Sequence, residues 1–86
     1  MNLNLVEKEL EETFVGHKVE FGREFAVLDF DIDNVTGHII QRFDDEFNKT
    51  TVYVNLYDRE TYDEFQSSEK ELNLEQVKEE IRKRLR

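Results

Sequence analysis

The residues in this chain best placed by type and spacing to do chemistry are Asp29, Asp31 and Asp33, three aspartates set two apart and followed by Asn34. A D-x-D-x-D run first suggests a calcium loop, in which alternating carboxylates wrap a hard cation. The pattern fails further on. The sixth loop position is Asn34, where the sharp turn needs Gly, and the twelfth is Ile40, where a bidentate Glu belongs. Leu28, Phe30 and Ile32 alternate with the aspartates, which is strand periodicity. On a strand the three carboxylates share one face, with residues i and i+2 about 6.6–6.8 Å apart. Phosphates of one DNA strand advance about 3.4 Å each along the axis, so such a row has the spacing of alternate phosphates. A solvated strand face is the ordinary explanation of alternating polar residues. Asp44, Asp45 and Glu46 form a second acidic patch, expected at the far end of the next strand.

Other chemistry has little to stand on. There is no Cys nucleophile, and the two histidines, His17 and His38, fall on different strands without metal-ligand spacing. Ser67 and Ser68 lie in an expected connection with no base nearby. Gly16, Gly22 and Gly37 are isolated and build no phosphate loop. A general acid needs burial that raises its pKa, whereas these carboxylates sit on polar faces. The expectation is a protein that is not an enzyme, with no cofactor and no metal.

Charge narrows the partner. The net charge is −9, from twenty-one carboxylates against twelve Lys and Arg. Residues 1–71 hold eighteen acids and seven bases, net −11, and residues 72–86 hold three acids and five bases, net +2. Direct binding to nucleic acid or to an anionic membrane is disfavoured, because both need a basic footprint. A field of this sign draws basic protein grooves and weakens with salt. The basic tail is ordinary complementation of a helix dipole. Lack of Cys in so small a domain points to a reducing compartment, so a cytoplasmic location is expected. Met1 to Leu5 carries neither a basic segment nor a long apolar one, so no signal peptide is expected. The apolar run from Phe25 to Leu28 is far short of the roughly 20 residues a membrane helix needs.

The elements that must position these groups follow from periodicity. Leu3, Val6, Leu10 and Phe14 predict a helix over 3–14, capped by Asn2 or Asn4, with Gly16 as the left-handed residue after it. Residues 17–21 alternate, and Gly22-Arg23 fits a two-residue turn. Residues 24–32 form the clearest strand, with Asp33-Asn34 as the next turn. Strands are expected over 36–43 and 50–57, the latter with Val52, Val54 and Leu56 inward and Tyr53, Asn55 and Tyr57 outward. Residues 59–66 suggest a short helix capped by Asp58. Helix 74–85 carries the strongest signal: Asn73 and Gln76 form a capping box, Leu72 and Val77 a hydrophobic staple.

The fold predicted is one acidic α+β domain over 1–86. A four-stranded antiparallel meander carries the N-terminal and C-terminal helices on one face, in the order α-β-β-β-β-(short α)-α. The function expected is a non-enzymatic binding protein that blocks a basic nucleic-acid-handling protein by presenting carboxylates as phosphates. In size, acidity and lack of catalytic residues it is similar to phage or mobile-element inhibitors of the anti-restriction, anti-CRISPR and glycosylase-inhibitor kinds, a similarity of class and composition. Asp29, Asp31 and Asp33 would be the first mimics and Asp44, Asp45 and Glu46 the second patch. The alternative is an interaction or assembly module, a homodimer through Phe25, Tyr53 and Tyr57, because buried aromatics dominate interface energetics. Loop 44–49 or segment 58–66, with Phe47, Tyr62 and Phe65, would otherwise cover part of that face.

Overall fold

The computed structural model describes residues 2–46, 48–68 and 73–86. Its first element is helix α1, Leu3–Thr13. The Asn2 side chain caps it, accepting from the Asn4 and Leu5 N–H groups at 3.0 and 3.3 Å. Leu3, Val6 and Leu10 are its buried stripe, and Gly16 follows at φ 94°, as a left-handed residue beyond the helix end should. The last element is helix α2, Leu74–Arg84. Its capping box is reciprocal: Gln76 N–H donates to Asn73 Oδ1 at 2.9 Å, and Asn73 N–H donates to Gln76 Oε1 at 3.0 Å. Leu72, the expected staple partner of Val77, lies outside the described residues.

Between the helices run β1 (Val19–Glu24), β2 (Val27–Ile32), β3 (Val35–Asp44), β4 (Lys49–Asp58) and β5 (Glu64–Ser68). They pair antiparallel in chain order, β1-β2-β3-β4-β5. The four expected strands are all present, with α1 and α2 on one face, and a fifth strand extends the meander.

Two local expectations are corrected. The first turn is Phe25-Ala26, not Gly22-Arg23, and Gly22 sits inside β1 opposite Asp29. A turn at 22–23 would have set Phe21 against Glu24. The observed register sets Phe21 against Phe30 and Val19 against Ile32, so six residue pairs form and the inner face stays apolar. To make this turn, Phe25 takes φ 49°, a left-handed conformation that disfavours any residue with a Cβ.

The short helix expected over 59–66 is a single turn followed by β5. Asp58 does cap it, accepting from the N–H groups of Glu60 at 2.9 Å and Thr61 at 3.1 Å. The Tyr62 N–H then donates to the Asp58 carbonyl at 2.7 Å, and Tyr62 turns to φ 63°, which ends helical propagation. The chain that follows pairs with β4, from Tyr57↔Glu64 to Val54↔Ser68, with an irregularity between Leu56 and Tyr57. That pairing satisfies the main-chain groups β4 would otherwise leave open at its edge.

The core lies between the sheet and the helices. Leu28, Phe30 and Ile32 of β2, Val35 and Ile39 of β3, and Val52, Val54 and Leu56 of β4 meet the stripes of α1 and α2, including Val77 and Ile81. Gly37 stands opposite Phe30 and gives its place to the ring: a Cβ there would lie 2.1 Å from Phe30 Cζ. Lys78, only 6 % exposed, joins the two helices by donating to Glu9 at 2.9 Å and Glu75 at 3.2 Å. These bonds, the one to Glu9 foremost, hold its ammonium above the ordinary lysine pKa against the opposing pull of burial.

Candidate functional site: the outer face of the sheet

With both helices on one side, the other side of the sheet is left without a helical cover, and register fixes what it displays. One cross-strand row reads Glu20, Asp31, Thr36, Tyr57 and Glu64. The next reads Gly22, Asp29, His38 and Asn55, and a third Glu24, Val27, Ile40 and Tyr53. Over the first two rows lies an open groove of about 490 Å³. Asp29, Asp31 and Glu20 supply its carboxylates, Gly22 leaves its floor open, and Tyr57, Tyr62 and Arg59 stand around it.

The two aspartates of β2 are held by neighbours on β3. Thr36 Oγ1 donates to Asp31 Oδ1, and His38 Nδ1 lies against Asp29 Oδ1. An ionised carboxylate only accepts, so Nδ1 carries the proton in this pair. The His38 ring also leans on Tyr57, with centroids 5.7 Å apart and planes 33° apart. Among the described residues each aspartate therefore uses Oδ1 and leaves Oδ2 without a bond. Glu20 stands directly opposite Asp31, a like-charge pair that costs stability. Lys18 approaches Glu20 only to 3.7 Å, on an exposed edge.

Asp33 does not join this array. It occupies the β2–β3 turn at φ 49°. There it accepts from His17 Nδ1 at 2.6 Å and from the Lys18 N–H at 2.9 Å. These bonds, the His17 one first, hold its carboxyl below the ordinary aspartate pKa. Its work is to fasten the chain before β1 to the turn after β2.

The second acidic patch is remote. β3 and β4 run on past the end of β2, and Asp45 and Glu46 lie exposed in the turn after β3. From Thr36 to Asp44 is eight residues of strand, about 27 Å at the usual rise. Asp44 ends β3, and its side chain lies outside the described ones. The two patches are thus separate.

The aromatic residues divide similarly. Tyr57 belongs to the groove, while Tyr53 sits half-buried in an apolar row with Val27 and Ile40. Phe25 is 93 % exposed at the β1–β2 turn, off the sheet face. Tyr62 is 79 % exposed at the groove. Phe47 and the Phe65 side chain, the other expected covers, lie outside the description.

Glu20, Gly22, Thr36, Arg59 and Tyr62 were not expected as site residues. Glu20 and Thr36 carry a signal, since each has the parity of an outward position, but only the true β1–β2 turn sets Glu20 against Asp31. Arg59 and Tyr62 arrive through a turn that sequence periodicity reads as helix.

The basic tail is engaged within the chain. The Arg86 guanidinium donates to Asp58 at 2.6 Å and to Glu60. Lys83 pairs with Glu80 at 3.2 Å and Arg82 with Glu79 at 3.6 Å. Among the described residues no group of three His, Cys, Asp or Glu side chains is arranged to hold a metal ion. No described helix is long and apolar enough to cross a membrane. Set against known proteins, the chain matches no family model, no curated protein and no solved structure.

Proposed function

We propose that the chain is a non-enzymatic acidic binding protein that occupies the basic surface of a nucleic-acid-handling protein in place of phosphates, in the manner of anti-restriction or anti-CRISPR inhibitors. One observation carries the reading: Glu20, Asp29 and Asp31 gather in adjacent rows on the sheet face that has no helix, with Glu20 and Asp31 facing each other. A like-charge pair at such a position lowers the stability of the free protein rather than adding to it. A basic partner would relieve that repulsion on binding and be steered to it by the field of the acidic body.

The test is inhibition of a panel of restriction and Cas-type nucleases. At low salt at least one is expected to be inhibited, with duplex DNA competing and affinity falling steeply between about 50 and 200 mM salt. Reversing Glu20, Asp29 and Asp31 to Lys together should abolish inhibition and leave the far-UV spectrum unchanged. Equal inhibition by that variant, or inhibition of no nuclease, overturns the proposal.

A second reading is favoured by the apolar row Val27, Ile40 and Tyr53 beside the groove and by the bare Phe25 ring. It is an interaction module that self-associates through aromatic contacts. Self-association that hardly changes with salt supports it against the first.

A further inference from the structure

The groove over β1 to β4 has the chemistry of a clamp for a planar cation, and we infer that it receives an arginine side chain from the partner. The inference rests on the preceding proposal in taking that partner to be basic. Asp29 and Asp31 are fixed through Oδ1 by His38 and Thr36, and among the described residues both Oδ2 atoms are left without a hydrogen bond, so each can accept from an incoming donor. Glu20 adds a third carboxylate across the strand pair. A guanidinium presents five donors in a rigid fork, suited to carboxylates held by others, and its flat faces stack on aromatic rings. Tyr57 and Tyr62 supply such rings. An ammonium is a more strongly hydrated point charge and uses neither the fork nor the stack.

Space and charge agree with this occupant. The groove's volume, about 490 Å³, falls in the range of sites for small ligands. Its floor is open because Gly22 has no side chain; a Cβ there would meet only Asp29 Cβ, at 3.8 Å. The groove's own cation, Arg59, makes no ion pair with these carboxylates among the described residues: its described side-chain bond is a 3.4 Å contact to the Asp33 carbonyl. Arg59 therefore repels an incoming cation without filling its place.

The experiment is a titration of the ¹⁵N-labelled full chain with N-acetyl-arginine amide, and in parallel with N-acetyl-lysine amide, at low salt. Arginine amide is expected to give saturable shifts at Gly22, Asp29, His38 and Tyr57, and lysine amide weaker ones. Asp31→Asn should weaken binding about tenfold, the loss of one charge-assisted bond. Gly22→Val should block the floor without a change of charge, and Arg59→Ala should tighten binding. Retained amide dispersion keeps the variants interpretable. Absence of saturable shifts, equal response to the two amides, or unchanged affinity in both Asp31→Asn and Gly22→Val overturns the clamp. Nuclease inhibition without arginine binding sinks the clamp and leaves the wider proposal standing. Arginine binding without inhibition of any nuclease does the reverse.

Discussion

At the scale of single residues, the two strand glycines do different work. Gly37 faces the core, where its missing Cβ is occupied by Phe30, with ring atoms 2.1, 2.6 and 2.7 Å from where that carbon would sit. Phe30 is only 2 % exposed and packs within the core cluster, so its ring yields at the expense of its neighbours. Gly37→Ala is therefore expected to cost about 1–3 kcal/mol through overpacking, read from urea unfolding. Gly22→Ala, which meets only an ordinary contact, should stay within about 0.5 kcal/mol of wild type. If the collision is the cause, Phe30→Leu should recover part of the loss in a Gly37→Ala background and lower stability when made alone. Nothing local to either glycine separates them in the sequence. The distinction is made by the register, which puts Gly37 against Phe30 and Gly22 against Asp29.

At the scale of elements, Asn34 ties three of them together. Buried at the β2–β3 turn, its Nδ2 donates to the Arg84 carbonyl at 2.9 Å and to Asp58 Oδ2 at 3.2 Å, and its Oδ1 accepts from the Arg86 N–H at 3.2 Å. It thus closes the end of α2 onto the turn and onto the end of β4. Asn34→Ala takes this partner from the Arg84 carbonyl and the Arg86 N–H, while Asp58 Oδ2 keeps its bond from the Arg86 guanidinium, and should cost about 1–3 kcal/mol. Asp58 gives the same junction a dependence on pH. Its carboxyl is held below the ordinary aspartate pKa chiefly by the Thr61 N–H, with Glu60, Asn34 and Arg86 adding to that against the opposite effect of burial. A folded-state pKa below the unfolded one means that the stabilisation is fully present above about pH 3.9 and is lost as pH falls through the folded value. Asp33, lowered in the same direction, acts in the same window. Unfolding free energy should drop on acidification through this range, and Asp58→Asn should drop less steeply; parallel curves would assign the loss to other carboxylates. The helices and the inner strand faces were legible because their signals are local: an apolar stripe of period 3.6, a cap, an alternation of period 2. The β1–β2 turn was not, because the glycine that looks like a turn residue is outbid by the pairing of Phe21 with Phe30. β5 was not, because Tyr62 and Phe65 fit a helical spacing as well as a strand. The candidate site followed in part: Asp29, Asp31 and Tyr57 were legible from parity, while Asp33 was lost to a turn one residue beyond the strand.

At the scale of the whole molecule, charge sets up a test in which one variable acts with two signs. The chain carries a net −9, and its extent is 41 × 25 × 22 Å. Its described ion pairs are short-range, and those exposed on both sides, Lys18–Glu20, Arg82–Glu79 and Arg86–Glu60, are worth about 0–1 kcal/mol each. Repulsion among the excess carboxylates is long-range and adds over the whole body. The Debye length shrinks from about 30 Å at 0.01 M to about 10 Å at 0.1 M, which is from nearly the length of the molecule to a fraction of it. Over that interval screening removes more repulsion than attraction, so thermal stability should rise with added salt. Association with a basic partner should fall over the same interval, because the carboxylates whose repulsion is relieved are the ones that attract it. Measured side by side, melting temperature and affinity should therefore move in opposite directions. A melting temperature that falls with salt would mean that the ion pairs outweigh the excess charge. The outer carboxylates would then be paired locally in the free protein, and the net charge of −9 would act from the body as a whole rather than draw a basic partner to the sheet face.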